Sequence, residues 1–373
     1  MRLTGRPGPI ATCLAGFALT ATGCSAMETE EWDVSVSVGE LSAAPFGTRI
    51  DHSLLWTGAE LFVWGGSSEG QQRLHDDGAA YSPDTDSWRT VADSDLEARA
   101  RHTAVLLGDQ RVLVWGGATG THSGEKDGRM ARDGAVYDPG TDSWEPVADA
   151  PEARESASAI VTGGHVVFGG SGYQDDLLVY SLKDDTWDTV PLTGAGELFR
   201  VLDLVAVDDE VVLVGATADR MLTGRFRVGD EGVSVSEFEE VEDPTGAYVG
   251  LVSLPGDKAV LAVRESRGGR LYELDGRGQA ETVHEADTFR PPVHTVSHPA
   301  LSGEMGFVEG LGVVSASAGE FSVWDVDTGL THRSRGQALD GYCGPIEPVG
   351  ANALIGWGGR CETGGIRVDL RAQ

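Results

Sequence analysis

Cysteine is nearly absent from this 373-residue chain, which has four, and two of them, Cys13 and Cys24, stand within the first 24 positions. Only Cys343 and Cys361 remain for the body, with no Cys-x-x-Cys spacing, so a zinc ribbon or dithiol redox centre is excluded. Cations are also few: 28 Lys and Arg stand against 59 Asp and Glu, a formal charge of −31. A phosphate backbone needs a basic surface, so nucleic acid is excluded as a partner. There is no His-Glu-x-x-His, no phosphate loop and no Asp-x-Asp-x-Asp-Gly loop with a closing Glu. Zinc-hydrolase, nucleotide and EF-hand calcium chemistry therefore lack a basis, and no cofactor or metal is expected. Long apolar stripes of 3.6-residue period are missing too, which argues against a helical body.

Glycine (52 residues) and tryptophan (nine) are plentiful, set among short apolar runs and turn clusters, and they point to many short strands. The first residues read as an export signal: Arg2 and Arg6, then an apolar stretch over 10–19 too short to remain as a membrane span. Ala21-Thr22-Gly23-Cys24 resembles a bacterial lipobox, with Ala21 where leucine is usual. The resemblance implies that residues 1–23 are removed and that Cys24 carries a lipid, holding the chain on the extracytoplasmic side of the cell membrane. The alternative is ordinary cleavage after Ala26 and release as a secreted protein. On the first reading 24–30 is a short tether and 31–373 is one domain. Losing 1–23 takes two arginines and no acid, leaving 26 basic against 59 acidic side chains, a charge of −33 that keeps an exported protein soluble.

The body repeats. One copy reads Leu61-Phe62-Val63-Trp64-Gly65-Gly66, then Tyr81 and Trp88; the next reads Val112-Leu113-Val114-Trp115-Gly116-Gly117, then Tyr137 and Trp144. A third has Val166-Val167-Phe168-Gly169-Gly170, Tyr180 and Trp187. The glycine pairs recur after 51 and 53 residues, and Trp follows Tyr at the seventh position each time. Fainter copies start at Val211, Ala259 and Gly312, and Leu354-Ile355-Gly356-Trp357-Gly358-Gly359 restores the pair, making seven units. An apolar run ending in Gly-Gly suits a strand buried on both faces, and Pro-Asp-Thr-Asp or Pro-Gly-Thr-Asp suits a hairpin turn. Tyr and Trp then read as packing surfaces between sheets.

These residues resemble the kelch signature, which implies an all-β, seven-bladed propeller. The segment from Glu31 to Val38, with Trp32, reads as an orphan fourth strand that closes the last blade against residues 366–370. Cys343 and Cys361 fall in that closing blade, where a disulfide is expected to staple it.

In kelch-like propellers the loop before each innermost strand and the loop after Gly-Gly surround one mouth of the central channel. Counting back from each glycine pair places Arg49, His52, Arg101, His102, Arg154, Glu155, Arg200, Tyr248, His298 and Tyr342 there. In a cation-poor chain this cluster suits a carboxylate, sugar acid or acidic peptide. Alternatively, the same groups satisfy carbonyls and acidic neighbours within the ring. The expected function is a monomeric, membrane-tethered binding or scaffold module for a glycan, peptide or protein. The alternative is a sugar-acid isomerase or lyase, similar to sialic-acid epimerases, using groups such as His102, Arg154 and Glu155.

Overall fold

The turn between the Tyr and Trp strands puts an aspartate in the left-handed region in each strong repeat: Asp86 at φ 44°, Asp142 at 50° and Asp185 at 51°. Aspartate tolerates this conformation because its short polar side chain bonds locally. The reversal sets Tyr81 opposite Trp88, Tyr137 opposite Trp144 and Tyr180 opposite Trp187 in antiparallel pairs. A computed structural model describes residues 34–373 except 69–72, 121–128, 171–174, 196–198, 209, 218, 230–231, 236–237, 242–247, 257, 266–267, 276–279, 287–304, 309–310, 318–319, 329–330, 336–343, 351, 360–363 and 373. No helix occurs among the described residues.

Seven antiparallel sheets form the blades. Blade 1 runs outward through Ser53–Trp56, Leu61–Trp64, Gly78–Ser82 and Ser87–Thr90. The inner strands of blades 2 to 6 are Thr103–Leu106, Ser158–Thr162, Arg200–Val207, Tyr248–Leu254 and Met305–Val308. Blade 7 comprises Ile346–Val349, Ala353–Trp357 and Gly365–Ala372, and its outermost strand is the N-terminal Val34–Glu40. That closure runs in register from Val34 opposite Ala372 to Glu40 opposite Ile366. The N-terminal strand is thus the one the sequence assigns, shifted two residues toward the C-terminus at its far end. Neighbouring inner strands touch all the way round, the strand of blade 7 lying against that of blade 1, so the ring is closed.

The second strand of each strong repeat is buried on both faces, Leu61–Trp64 and Val112–Trp115 completely, because a blade is covered by a neighbour on each side. A separate apolar core fills each junction: Phe62, Trp64 and Tyr137 between blades 1 and 2, Trp115, Phe168 and Tyr180 between blades 2 and 3, and so on to Leu61, Tyr81 and Ile355 between blades 1 and 7. The glycine pair exists for the approach of the next element. Gly117 has φ +92°, and a Cβ there would lie 2.8 Å from the carbonyl oxygen of Ala100.

Candidate functional site at the channel mouth

Each of the first three inner strands is entered through an arginine turned back into the ring. The Arg49 guanidinium donates to the carbonyls of Gly65 (3.1 Å) and Asp77 (3.0 Å) and pairs with the Asp77 carboxylate at 2.8 Å. Arg99 does the same with the carbonyls of Gly116 and Asp133 and the Asp133 carboxylate. Arg154 takes the carbonyl of Asp176 at 3.3 Å and its carboxylate at 2.5 Å. Arg99 and Arg154 have no exposed side-chain surface. A planar fork with five donors can satisfy a carbonyl left over at the strand end and a carboxylate together, which lysine could not.

Two residues beyond each arginine the chain enters the left-handed region, at Asp51 (φ 57°), Arg101 (57°) and Ser156 (54°). These knuckles link successive blades: the Arg101 N–H donates to the Asp51 carbonyl at 2.9 Å and the Ser156 N–H to the Arg101 carbonyl at 2.7 Å. The side chain of Arg101 pairs with Glu155 at 2.7 Å.

His52 and His102 follow, each an edge against the tryptophan of the preceding blade, Trp357 at 5.3 Å and Trp64 at 5.0 Å. Their rings fill the space over the first glycine of that blade's pair. A Cβ on Gly358 would lie 2.5 Å from His52 Cε1, and one on Gly65 would lie 2.8 Å from His102 Cε1. His52 Nε2–H donates to the Trp357 carbonyl at 3.2 Å, and His102 Nε2 meets the Ser53 hydroxyl. Burial pushes the two imidazoles down to about 4 and about 3, so both are neutral at physiological pH.

Polar links continue down the channel wall. Thr103 Oγ1 donates to the Ala157 carbonyl at 2.7 Å, and Ser158 Oγ to Asp203 at 2.9 Å. The other Asp203 oxygen accepts from the Leu251 N–H of blade 5 at 2.9 Å. These links border a cavity of about 610 Å³ lined by Asp51, Arg101, Ser156, Ser158, Met305 and Glu347, among others. Burial pushes the Glu347 carboxyl up to about 7.

Of the residues singled out from the sequence, the structure brings Asp51's neighbours His52, Arg101, His102 and Glu155 to the mouth, with Arg49 and Arg154 behind it. Arg200 and Tyr248 open the inner strands of blades 4 and 5. Cys24, His298, Tyr342, Cys343 and Cys361 lie outside the described residues. Arg99, Asp203 and Glu347 were not legible as site residues, although Arg99, rather than Arg101, stands in the place of Arg49 and Arg154.

Gly66-Ser67-Ser68-Glu69-Gly70 fits the Gly-x-Ser-x-Gly pattern, and Ser68 Oγ lies 2.9 Å from His75 Nε2. His75 Nδ1 is 3.8 Å from Asp77 Oδ1, beyond hydrogen-bonding distance, and that oxygen is held by Arg49. A serine–histidine relay is therefore not assembled there.

Comparison with known proteins agrees with this architecture. The KLHDC2/KLHL20/DRC7 Kelch-repeats domain matches residues 20–216. Kelch-like protein terF of Aspergillus terreus is 27% identical over 211 residues, 49% of this chain and 43% of that protein. Kelch-like protein 35 of Mus musculus is 27% identical over 251 residues, 65% and 40% of the two chains. The match thus spans less than half the length of either relative. The solved structure of YjhT covers 88% of this chain and 95% of its own, with 14% identity and a TM-score of 0.48. With the family's domain matched over more than half of the chain, and seven blades of which the first three carry the Gly-Gly, Tyr and Trp frame in full, this chain belongs to the kelch-repeat family.

Proposed function

We propose that this protein is an exported, lipid-anchored binding module that holds a segment of a protein or peptide partner at the mouth of its channel. Kelch propellers typically serve as protein-binding scaffolds, and the observation that carries the reading is the set of knuckles around the cavity. Their backbone is the same in three successive blades while their side chains differ: Asp51, Arg101, Ser156. Non-glycine residues in that region are strained by about 1–3 kcal/mol each, a cost kept where backbone geometry serves a site. Anchoring rests on the lipobox-like Ala21-Thr22-Gly23-Cys24, and Cys24→Ala is expected to abolish labelling by a radioactive fatty acid.

A photo-reactive side chain placed at Asp51 is expected to form adducts with a protein in the producing cell, and one at the exposed outer-strand residue Asp188 is not. Equal adducts from both positions, or none from Asp51, would remove the reading. A glycan adduct would replace the partner class.

A second reading, catalysis on a sugar acid, has one observation in its favour, the raised Glu347 carboxyl in the channel wall. It needs a second titrating group across the cavity. His52 and His102, driven down to about 4 and about 3, do not supply one at neutral pH.

A further inference from the structure

Glu347 stands in the inner strand Ile346–Val349 of blade 7, against the inner strand of blade 1. Its carboxyl has one hydrogen bond among the described residues, from the Trp56 N–H at 3.5 Å, the outer limit of such a bond. An ionised carboxylate can accept about four. The cation that shares the cavity lining, Arg101, is already committed to Glu155. Leu54, Leu55, Met305 and Pro348 supply apolar wall beside Glu347.

An apolar-walled cavity of about 610 Å³ with an uncompensated carboxyl fits a long side chain with an aliphatic stem and a charged donor head. We infer that the channel receives a basic side chain of the bound segment, a guanidinium or alkylammonium group, met by the Glu347 carboxylate. This rests on the proposed docking of a partner at the channel mouth and names the chemistry of what enters. A carboxylate gains twice: it regains the bonds lost on burial, and it acquires a counter-ion where the dielectric is low.

The inference has a pH signature. Free Glu347 titrates near 7, and the cation selects its ionised form, so binding releases protons and affinity climbs about tenfold between pH 6 and pH 8. Of the groups facing Glu347, the packed strands Met305–Val308 and Ala353–Trp357 carry no titratable side chain. The entry to Ser53–Trp56 carries Asp51 and His52, and His52 stays neutral throughout this window.

The test titrates two end-blocked pentapeptides, one with arginine and one with citrulline at its centre, into the mature protein by calorimetry. Wild type at pH 8 is expected to bind the arginine peptide at least about tenfold more tightly, as for one charged pair in a partly dry site. Glu347→Gln, which keeps the shape, should abolish the preference, and pH 6 should weaken arginine binding about tenfold. Equal affinity for both peptides, blocked by the cavity-filling Ala206→Phe, would overturn the basic side chain and leave the channel as docking site. Binding untouched by Ala206→Phe would overturn both. A preference that survives in Glu347→Gln, or no binding of either peptide, would equally overturn the inference.

Discussion

Tyr137 donates its phenolic proton to Asp142 across 2.6 Å, and the same Asp142 oxygen accepts the Ala92 N–H of the preceding blade at 3.0 Å. Trp144 completes the clasp by donating its indole N–H to the Ala92 carbonyl at 2.8 Å. Tyr81, Asp86 and Trp88 grip Ser42 in the same way, and Tyr180, Asp185 and Trp187 grip Ala148. The repeat's aromatics thus do more than fill space. Burial and the carboxylate hold the Tyr137 phenol up at about 12, while the phenol and the Ala92 amide hold Asp142 below the usual carboxylate range.

Tyr137→Phe removes the bond donated to Asp142 and the one accepted from the Arg89 guanidinium at 3.0 Å, and leaves the ring in place. It is expected to cost about 1–2 kcal/mol in urea unfolding, with an unchanged m value. Asp142→Ala should cost more, because it frees both the phenol and the Ala92 amide and puts an alanine at φ 50°.

Arg154 is fully buried and its partner Asp176 is 17% exposed, so Arg154→Ala strands a carboxylate and a carbonyl. The expected loss is about 3 kcal/mol, the scale for breaking a buried pair from one side. Arg129, 71% exposed beside Glu97, is the control, and its replacement by alanine should move stability by less than about 0.5 kcal/mol. A ligand-binding arginine held only by its ligand would show the reverse: weakened binding with stability unchanged.

The pH dependence of stability sets Glu347 against the histidines. His52 and His102 have folded values below that of a free imidazole, so the unfolded chain takes up protons first and stability is lost as pH falls from about 6.5 toward 4. Glu347 is raised, so the folded chain takes up its proton first and stability rises as pH falls from about 7 toward 4.5. These groups together leave stability nearly flat around neutrality and falling below pH 6 with a slope near one proton. Glu347→Gln should steepen that slope toward about two protons at pH 5.5, measured by urea unfolding across the range.

Blades 1, 2 and 3 were legible because their glycine pairs, tyrosines and tryptophans do local work, a strand end, a hairpin and a clasp on the blade before, and blade 7 because its glycine pair recurs after Trp357. The closing strand was legible from an alternating segment with no partner nearby, and it pairs as Val34–Glu40. What a guanidinium bonds was not legible, since Arg154 and Asp176 lie 22 residues apart and meet only because one strand returns beside the other's entry. Asp203 joins Ser158 and Leu251 across three blades, a contact no local pattern encodes. Glu347 was missed for a related reason. A single charge in a four-residue strand looks outward-facing until the ring is closed and the inner strands have no outside.

The central claim is that one closed ring, completed by the N-terminal strand, holds the channel in shape. The most direct measurement compares soluble chains starting at Met27 and at Leu41 by thermal unfolding and by hydrogen exchange of the strand Gly365–Ala372. Without Val34–Glu40 that strand becomes an open edge. The account predicts that its amides exchange rapidly and that the melting transition falls and broadens. An unchanged transition with Gly365–Ala372 still protected would contradict it.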